Sequence, residues 1–212
     1  MLHGKSVCQK TKHTMKPYAD SCEQNRTPIL NVLKQELTDR HRLLEIGSGT
    51  GQHAVYLAGE FPDLTWQTSE VPIMHEGIHA WLAEDTAPPN ALPPLCLDVC
   101  KDPWPDERYD AVFSANTVHI VSWPQVQCLF SGVGEVLEPG GVFCLYGPFN
   151  YNGRYTSESN ERFNAWLKQR DPLSGVRDFE AVNELAAEAG LELKKDYEMP
   201  ANNRILTWLK AR

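Results

Sequence analysis

The sequence predicts a single α/β domain, with a seven-stranded, mostly parallel sheet, helices on both faces and an antiparallel hairpin at its C-terminal end. Three observations predict it. An apolar run, Leu43-Leu44-Glu45-Ile46, opens into Gly47-Ser48-Gly49-Thr50-Gly51, which reads as a buried strand, a tight turn and a helix start. Short apolar runs of strand length then alternate with patterns of spacing three and four, as in strand–helix–strand units. The last two strands are joined only by Pro200-Ala201-Asn202-Asn203, too short for a crossover, so they pair antiparallel.

The elements follow in order. Residues 1–14 carry Lys5, Lys10 and Lys12 with almost no apolar pattern and read as a flexible arm ahead of a single domain over 15–212. Thr27-Pro28 with Ile29, Leu30, Leu33 and Leu37 gives an N-cap, a proline at the first helical position and an apolar stripe. Asn25 and Arg26, just ahead of that helix, are polar residues placed to reach over a ligand at the glycine turn. Ala54, Val55, Leu57 and Ala58 continue the turn as a helix, and the second strand, 64–70, ends on Glu70. In doubly wound folds an acidic group at this strand end accepts hydrogen bonds from ribose hydroxyls.

Ile73, Ile78, Trp81 and Leu82 mark a third helix, and the proline-rich 87–94 stretch reads as a connector, because consecutive prolines exclude helix and central strand. The third strand, 94–99, carries Asp98. The fourth, 109–115, is followed by Asn116-Thr117-Val118-His119-Ile120 at the carboxyl edge, where open α/β sheets bind ligands. Trp123-Pro124 opens a helix that Glu138-Pro139-Gly140-Gly141 ends, and the fifth strand is 142–146. Between 147 and 177 the alternation disappears into an aromatic, arginine-bearing segment with one short helix, expected to lie over the site as a lid. Asp178 is expected to cap a helix that stops at Gly190, and strands at 191–199 and 204–210 complete the sheet.

Composition narrows the partners. No apolar run approaches the roughly 18 residues a membrane span needs, and there is no apolar signal region, which predicts a soluble, cytoplasmic protein without a membrane partner. The net charge is −8, and the basic arm makes the domain more acidic still, which repels a phosphate backbone and argues against nucleic acid. Cys8, Cys22, Cys96, Cys100, Cys128 and Cys144 are scattered without paired spacing and are expected as buried thiols rather than disulfides. No metal site is expected, since Cys96, Cys100 and His119 lack a fourth ligand.

The glycines fall in the order G-x-G-x-G, with Gln52 where the third glycine of a dinucleotide fingerprint would stand. This form resembles the first motif of the class I S-adenosylmethionine (SAM) methyltransferases. It disfavours a nicotinamide-dependent reductase, as does the terminal hairpin. From Asn25 onward the chain resembles more closely one methyltransferase-like family of bacteria and animals catalogued as a domain of unknown function. The resemblance rests on Asn25-Arg26, Leu44 to His53, Leu97-Asp98, Ser114-Ala115-Asn116-x-x-His119-Ile120, Tyr146-Gly147-Pro148-Phe149 and Met199-Pro200-Ala201-Asn202-Asn203. The family usually ends its second-strand motif in Asp; Glu70 keeps the hydrogen-bonding role.

The resemblance implies a Rossmann-like class I methyltransferase fold and SAM as cofactor, leaving as S-adenosylhomocysteine. Backbone N–H groups of Gly47, Ser48, Gly49, Thr50 and Gly51 would cradle the methionine part, with Glu45 near its ammonium. Glu70 would hold the ribose, Asp98 with Val99 the adenine, and Asn116 would face the methionine end or the methyl acceptor. His119 is the candidate base, with Asn116 and Tyr146 beside it, because a near-neutral pKa suits that role. Asn25, Arg26, Tyr151, Arg154 and Arg177 are the candidate acceptor contacts. Arginines over the site point to a small, anionic acceptor, since a guanidinium fork pairs with carboxylate or phosphate. A methyltransferase-like protein that binds SAM without turnover is the alternative.

Overall fold

The structure, a computed structural model, describes residues 16–212. The arm expected at 1–14 lies outside the described residues. The chain runs α1 (Asp20–Glu36), β1 (Arg42–Ile46), α2 (Gln52–Glu60), β2 (Thr65–Glu70), α3 (His75–Leu82) and β3 (Ala91–Cys96). It continues through β4 (Tyr109–Ala115), α4 (Trp123–Val136), β5 (Leu137–Gly147), β6 (Phe149–Asn150), α5 (Glu158–Arg170) and β7 (Arg177–Asp178). It ends with α6 (Phe179–Glu188), β8 (Leu191–Met199) and β9 (Asn203–Lys210).

The main sheet has seven strands in the order β3-β2-β1-β4-β5-β9-β8, with β1 to β5 parallel and β9 antiparallel to both its neighbours. Sequence order reverses between β1 and β4, so the loops that leave these strands diverge and open a crevice at their carboxyl ends. Consecutive residues of β1 face opposite layers. Leu43 packs with Ile29, Leu33, Leu57, Trp66 and Phe113 beneath α1 and α2. Leu44 and Ile46 pack with Val112, Phe130, Val133 and Trp208 beneath α4 and α6. Each such side chain contributes about 1.5–3 kcal/mol on burial, and a one-residue slip would turn both sets to the wrong layer. Among the described residues no helix is long and apolar enough to cross a membrane.

Several boundaries differ from expectation. α1 begins at Asp20, eight residues before Pro28, so Asn25 and Arg26 lie on the helix. Pro28 has no N–H to give the Gln24 carbonyl, yet the helix continues. Its start is held by Gln52, whose Oε1 accepts from Ala19 N at 2.5 Å and whose Nε2 donates to Ala19 O at 3.4 Å. β3 takes in Pro93 and Pro94 and ends at Cys96, because it is an edge strand, where a missing N–H costs no ladder bond. Asp98 and Val99 therefore sit in the loop beyond it. Glu138 to Gly141 belong to β5, where the pairing steps from Tyr109↔Leu137 to Ala111↔Val142. Asp178 occupies the N-cap position of α6 without making a side-chain cap bond.

The cysteines correct a second expectation. Cys100 and Cys128 are joined by a disulfide across 28 residues, and of the free thiols described Cys144 is buried, Cys22 half-buried and Cys96 exposed. The bond ties the loop after β3 to α4. Trp104 ties it again, lying so close on Gly132 of α4 that a Cβ there would come 1.9 Å from the ring, and donating Nε1–H to Val99 O at 3.1 Å.

Candidate cofactor and acceptor site

Gly47, Gly49 and Gly51 all have positive φ, at 73°, 55° and 88°. A Cβ on Gly47 would stand 2.6 Å from Thr117 Oγ1, and one on Gly51 3.1 Å from Ile78 Cα. A Cβ on Gly49 would meet nothing within 4 Å, so the middle of the turn faces open space into which a ligand can descend. Glu45, at the strand end, is 2 % exposed, and its Oε2 accepts from Trp66 Nε1 and Ser48 Oγ, both at 3.0 Å. Burial pushes its carboxyl up to about 7, and the nearby Glu70 adds to the rise, while the Trp66 and Ser48 hydrogen bonds oppose it. Thr50 turns its hydroxyl to Gln52 Oε1 at 3.1 Å.

Glu70 closes on the turn. Its Oε2 accepts from Gly49 N at 2.9 Å and its Oε1 from Val71 N at 2.8 Å. Each carboxylate oxygen accepts two hydrogen bonds, so one position per oxygen stays free for a ligand. Glu70 shares a crevice with Gly47, Leu97, Asp98, Val99 and Thr117. Asp98 takes Lys101 Nζ at 2.7 Å and Cys100 N at 3.2 Å, and the Lys101 hydrogen bond first of all holds its carboxyl below the usual range.

A larger cleft, about 460 Å³, adjoins this crevice. Asn116 lines the cleft and Thr117 the crevice, so consecutive residues form the rim between them. Asn116 holds a left-handed φ of 57° and donates its N–H to Tyr146 O at 2.9 Å. Asparagine tolerates that conformation better than most residues. Asn25 and Gln24 enter the cleft from α1, Asn160 and Phe163 from α5, and Asn203 from the start of β9.

Over residues 16–210 the sequence matches the family described as "Protein of unknown function (DUF938)". The chain belongs to that family. A fatty-acid O-methyltransferase of Mycolicibacterium smegmatis is 29% identical over 130 residues, 60% of this chain and 45% of that protein. The chain thus spans about half the length of the curated relatives it matches. An O-methyltransferase family protein from Burkholderia thailandensis superposes with a TM-score of 0.79 at 12% identity, covering 91% of this chain and 58% of that one. Human N-acetylserotonin methyltransferase, solved with SAM, gives 0.75 at 15% identity over 91% and 53%. The fold of this DUF938 member is the Rossmann-like class I methyltransferase fold.

Of the residues singled out in the sequence, Gly47, Glu70, Asp98 and Val99 gather at the crevice, and Asn25, Asn116 and Tyr146 at the cleft. Others lie elsewhere. Arg177 is spent on backbone carbonyls, donating to Val118 O at 3.0 Å and to Val121 O and Leu173 O. Arg154 is exposed in a bridge to Tyr151, whose hydroxyl donates to Asp196 at 2.7 Å. Arg26 pairs with Glu23 and covers the Tyr56 ring. His119 is 3 % exposed, with its ring edge-on to Phe163 and its Nδ1 without a hydrogen-bond partner. Burial, then the Arg177 charge, lowers its pKa to about 4, so it is neutral at physiological pH. Sequence reasoning missed Asn160, Asn203 and His53. Asn203 and His53 lie within the stretches that carry the family resemblance but had no role assigned, Asn160 lies in the segment expected as a lid, and His53 meets Asn25 across two helices, which no local pattern reveals.

Proposed function

We propose that this protein is a SAM-dependent methyltransferase acting on a small molecule. The carrying observation is that Glu70 meets the glycine turn beside an open space above Gly49, in a crevice that continues past Asn116 into a metabolite-sized cleft. When bound, SAM supplies a methyl carbon: the acceptor lone pair bonds to it, the C–S pair stays on sulfur, and an acceptor O–H or N–H proton leaves to a base or water. In the turn, Gly47 and Ser48 donate their N–H groups to Ser69 O, Gly49 to Glu70 and Gly51 to Ser48 O, which leaves the Thr50 N–H to meet the methionyl part where the glycines let it come close. Glu45 faces its ammonium, Glu70 accepts from the ribose hydroxyls, and Asp98 with Val99 meets the adenine. Asn116 orients the acceptor end, and the 147–177 segment, through Asn160 and Phe163, closes the cleft against water.

Titration calorimetry with SAM and with S-adenosylhomocysteine tests the cofactor, and no binding by either removes the proposal. Radiolabelled methyl transfer to fractionated metabolites tests turnover. One observation favours the second reading, SAM binding without turnover: among the described residues that line the cleft, Tyr146 is the only titratable one. Binding without labelled product in any fraction supports that reading.

His119 stands behind the cleft wall formed by Phe163. If it accepts the acceptor proton, His119→Ala lowers turnover about tenfold or more at unchanged SAM affinity. Equal turnover assigns it to packing.

Glu45 carries a pH prediction. Its folded pKa is raised from 4.5 to about 7, so the folded protein holds a proton that the unfolded chain has lost. The associated stability is full below about pH 4.5 and is lost as pH rises through about 7. A cofactor ammonium at Glu45 favours the ionised form, so binding S-adenosylhomocysteine near pH 6.5 should release a proton. Calorimetry in buffers of different ionisation enthalpy reads that release, and Glu45→Gln should abolish it. The same proton count in both proteins would place the ammonium elsewhere.

A further inference from the structure

Among the described residues, the cleft's lining carries no formal charge. Five side-chain amides, Gln24, Asn25, Asn116, Asn160 and Asn203, together with the Tyr146 hydroxyl, supply its main polar groups, and Phe163 with prolines forms its apolar walls. The arginines that would have suited an anion are held elsewhere: Arg177 by backbone carbonyls, Arg26 by Glu23, and Arg204 by Asp196 at 2.7 Å. A carboxylate brought here would leave water without meeting a cationic side chain among the described residues, which is costly, and the protein's net charge of −8 opposes its approach. A cation would find no carboxylate. An amide, in contrast, offers both donors and an acceptor: Gln24 and Asn116 can serve a ligand in either sense, while Asn160 and Asn203, whose amide N–H groups are given to Thr156 and Asn202 and to Pro200 and Ala201, present acceptor oxygens to hydroxyl or amide donors.

Asn25, beside Tyr146 in the lining, is oriented by a buried histidine. His53 Nε2 lies 2.7 Å from Asn25 Oδ1, which can only accept, so Nε2 carries the proton. Burial keeps His53 neutral, its pKa lowered to about 4, and its Nδ1 faces Cys22 Sγ at 3.9 Å. With Oδ1 engaged, the Asn25 amide nitrogen is the group left to face the Tyr146 hydroxyl beside it in the lining, where it opposes the rise that burial gives the phenol. The phenolic O–H is then left to donate into the cleft.

We propose that the cleft takes an uncharged, polar small molecule with a flat apolar face, held at its edges by the amides and by donation from Tyr146 to one of its oxygens. This rests on the reading of the cleft as the acceptor site, and it names the acceptor's chemical class.

Three probes that share one ring test it: benzamide, benzoate and benzylammonium, titrated by ligand-detected NMR into the full chain with and without S-adenosylhomocysteine. Benzamide should bind about tenfold more tightly than either ion, and Tyr146→Phe should weaken it several-fold. Gln24→Arg, at an exposed position, should bring benzoate level with benzamide or above it. The proposal is overturned if either ion equals benzamide in the parent protein, or if Gln24→Arg leaves the order unchanged. It also fails if benzamide shows no saturable binding by about 10 mM, the range expected of so small a ligand. Ions binding best while S-adenosylhomocysteine still binds would sink this proposal alone; loss of cofactor binding with benzamide still preferred would sink only the methyl-transfer reading.

Discussion

Titration of the Glu70→Ala protein with S-adenosylhomocysteine is expected to give a Kd about 100-fold above that of the parent. Hydrogen bonds to an ionised group are worth about 1.5–3 kcal/mol each, and a ribose offers two hydroxyls to the two free acceptor positions on this carboxylate. The substitution also removes the acceptor for Gly49 N–H and Val71 N–H, so the turn loses its tie at the position that must stay open. Glu70→Gln keeps one acceptor oxygen and should fall between the two. A Kd within about threefold of the parent for Glu70→Ala would mean that the ribose is held elsewhere.

Reducing the Cys100–Cys128 bond is expected to lower unfolding stability by about 3–4 kcal/mol, the entropy of freeing a loop of this size. Urea denaturation with and without a non-thiol reductant measures it, and Cys128→Ser should reproduce the reduced protein. Thiol titration in denaturant should find two fewer reactive groups before reduction than after. The loop that would be loosened carries Asp98 and Val99, so S-adenosylhomocysteine should also bind several-fold more weakly. Trp104 on Gly132 keeps the loop docked and sets the limit of that loss. Identical urea midpoints under both conditions would show that the bond contributes nothing.

The parts of the fold that depend on local periodicity were legible in the sequence. The seven strands, the glycine turn and the terminal hairpin follow from alternation and turn chemistry, and Glu70 follows from its place at a strand end. What escaped was decided by distant partners. α1 extends past Pro28 because Gln52 holds Ala19 from the start of another helix. Cys100 meets Cys128 because a loop crosses α4, which spacing does not encode. Arg177 read as an anion ligand, yet three carbonyls of two loops consume it.

Pro93 and Pro94 have a consequence for how molecules of this protein meet one another. They stand in the outermost strand, where an unbroken row of N–H groups would invite another chain to add a strand, and they remove donors from that row. The opposite margin, β8, displays Glu192 and Lys195 to solvent. Both margins of the sheet are therefore poor templates for further growth, so the sheet ends at its seventh strand and edge-to-edge stacking into aggregates is discouraged at either side.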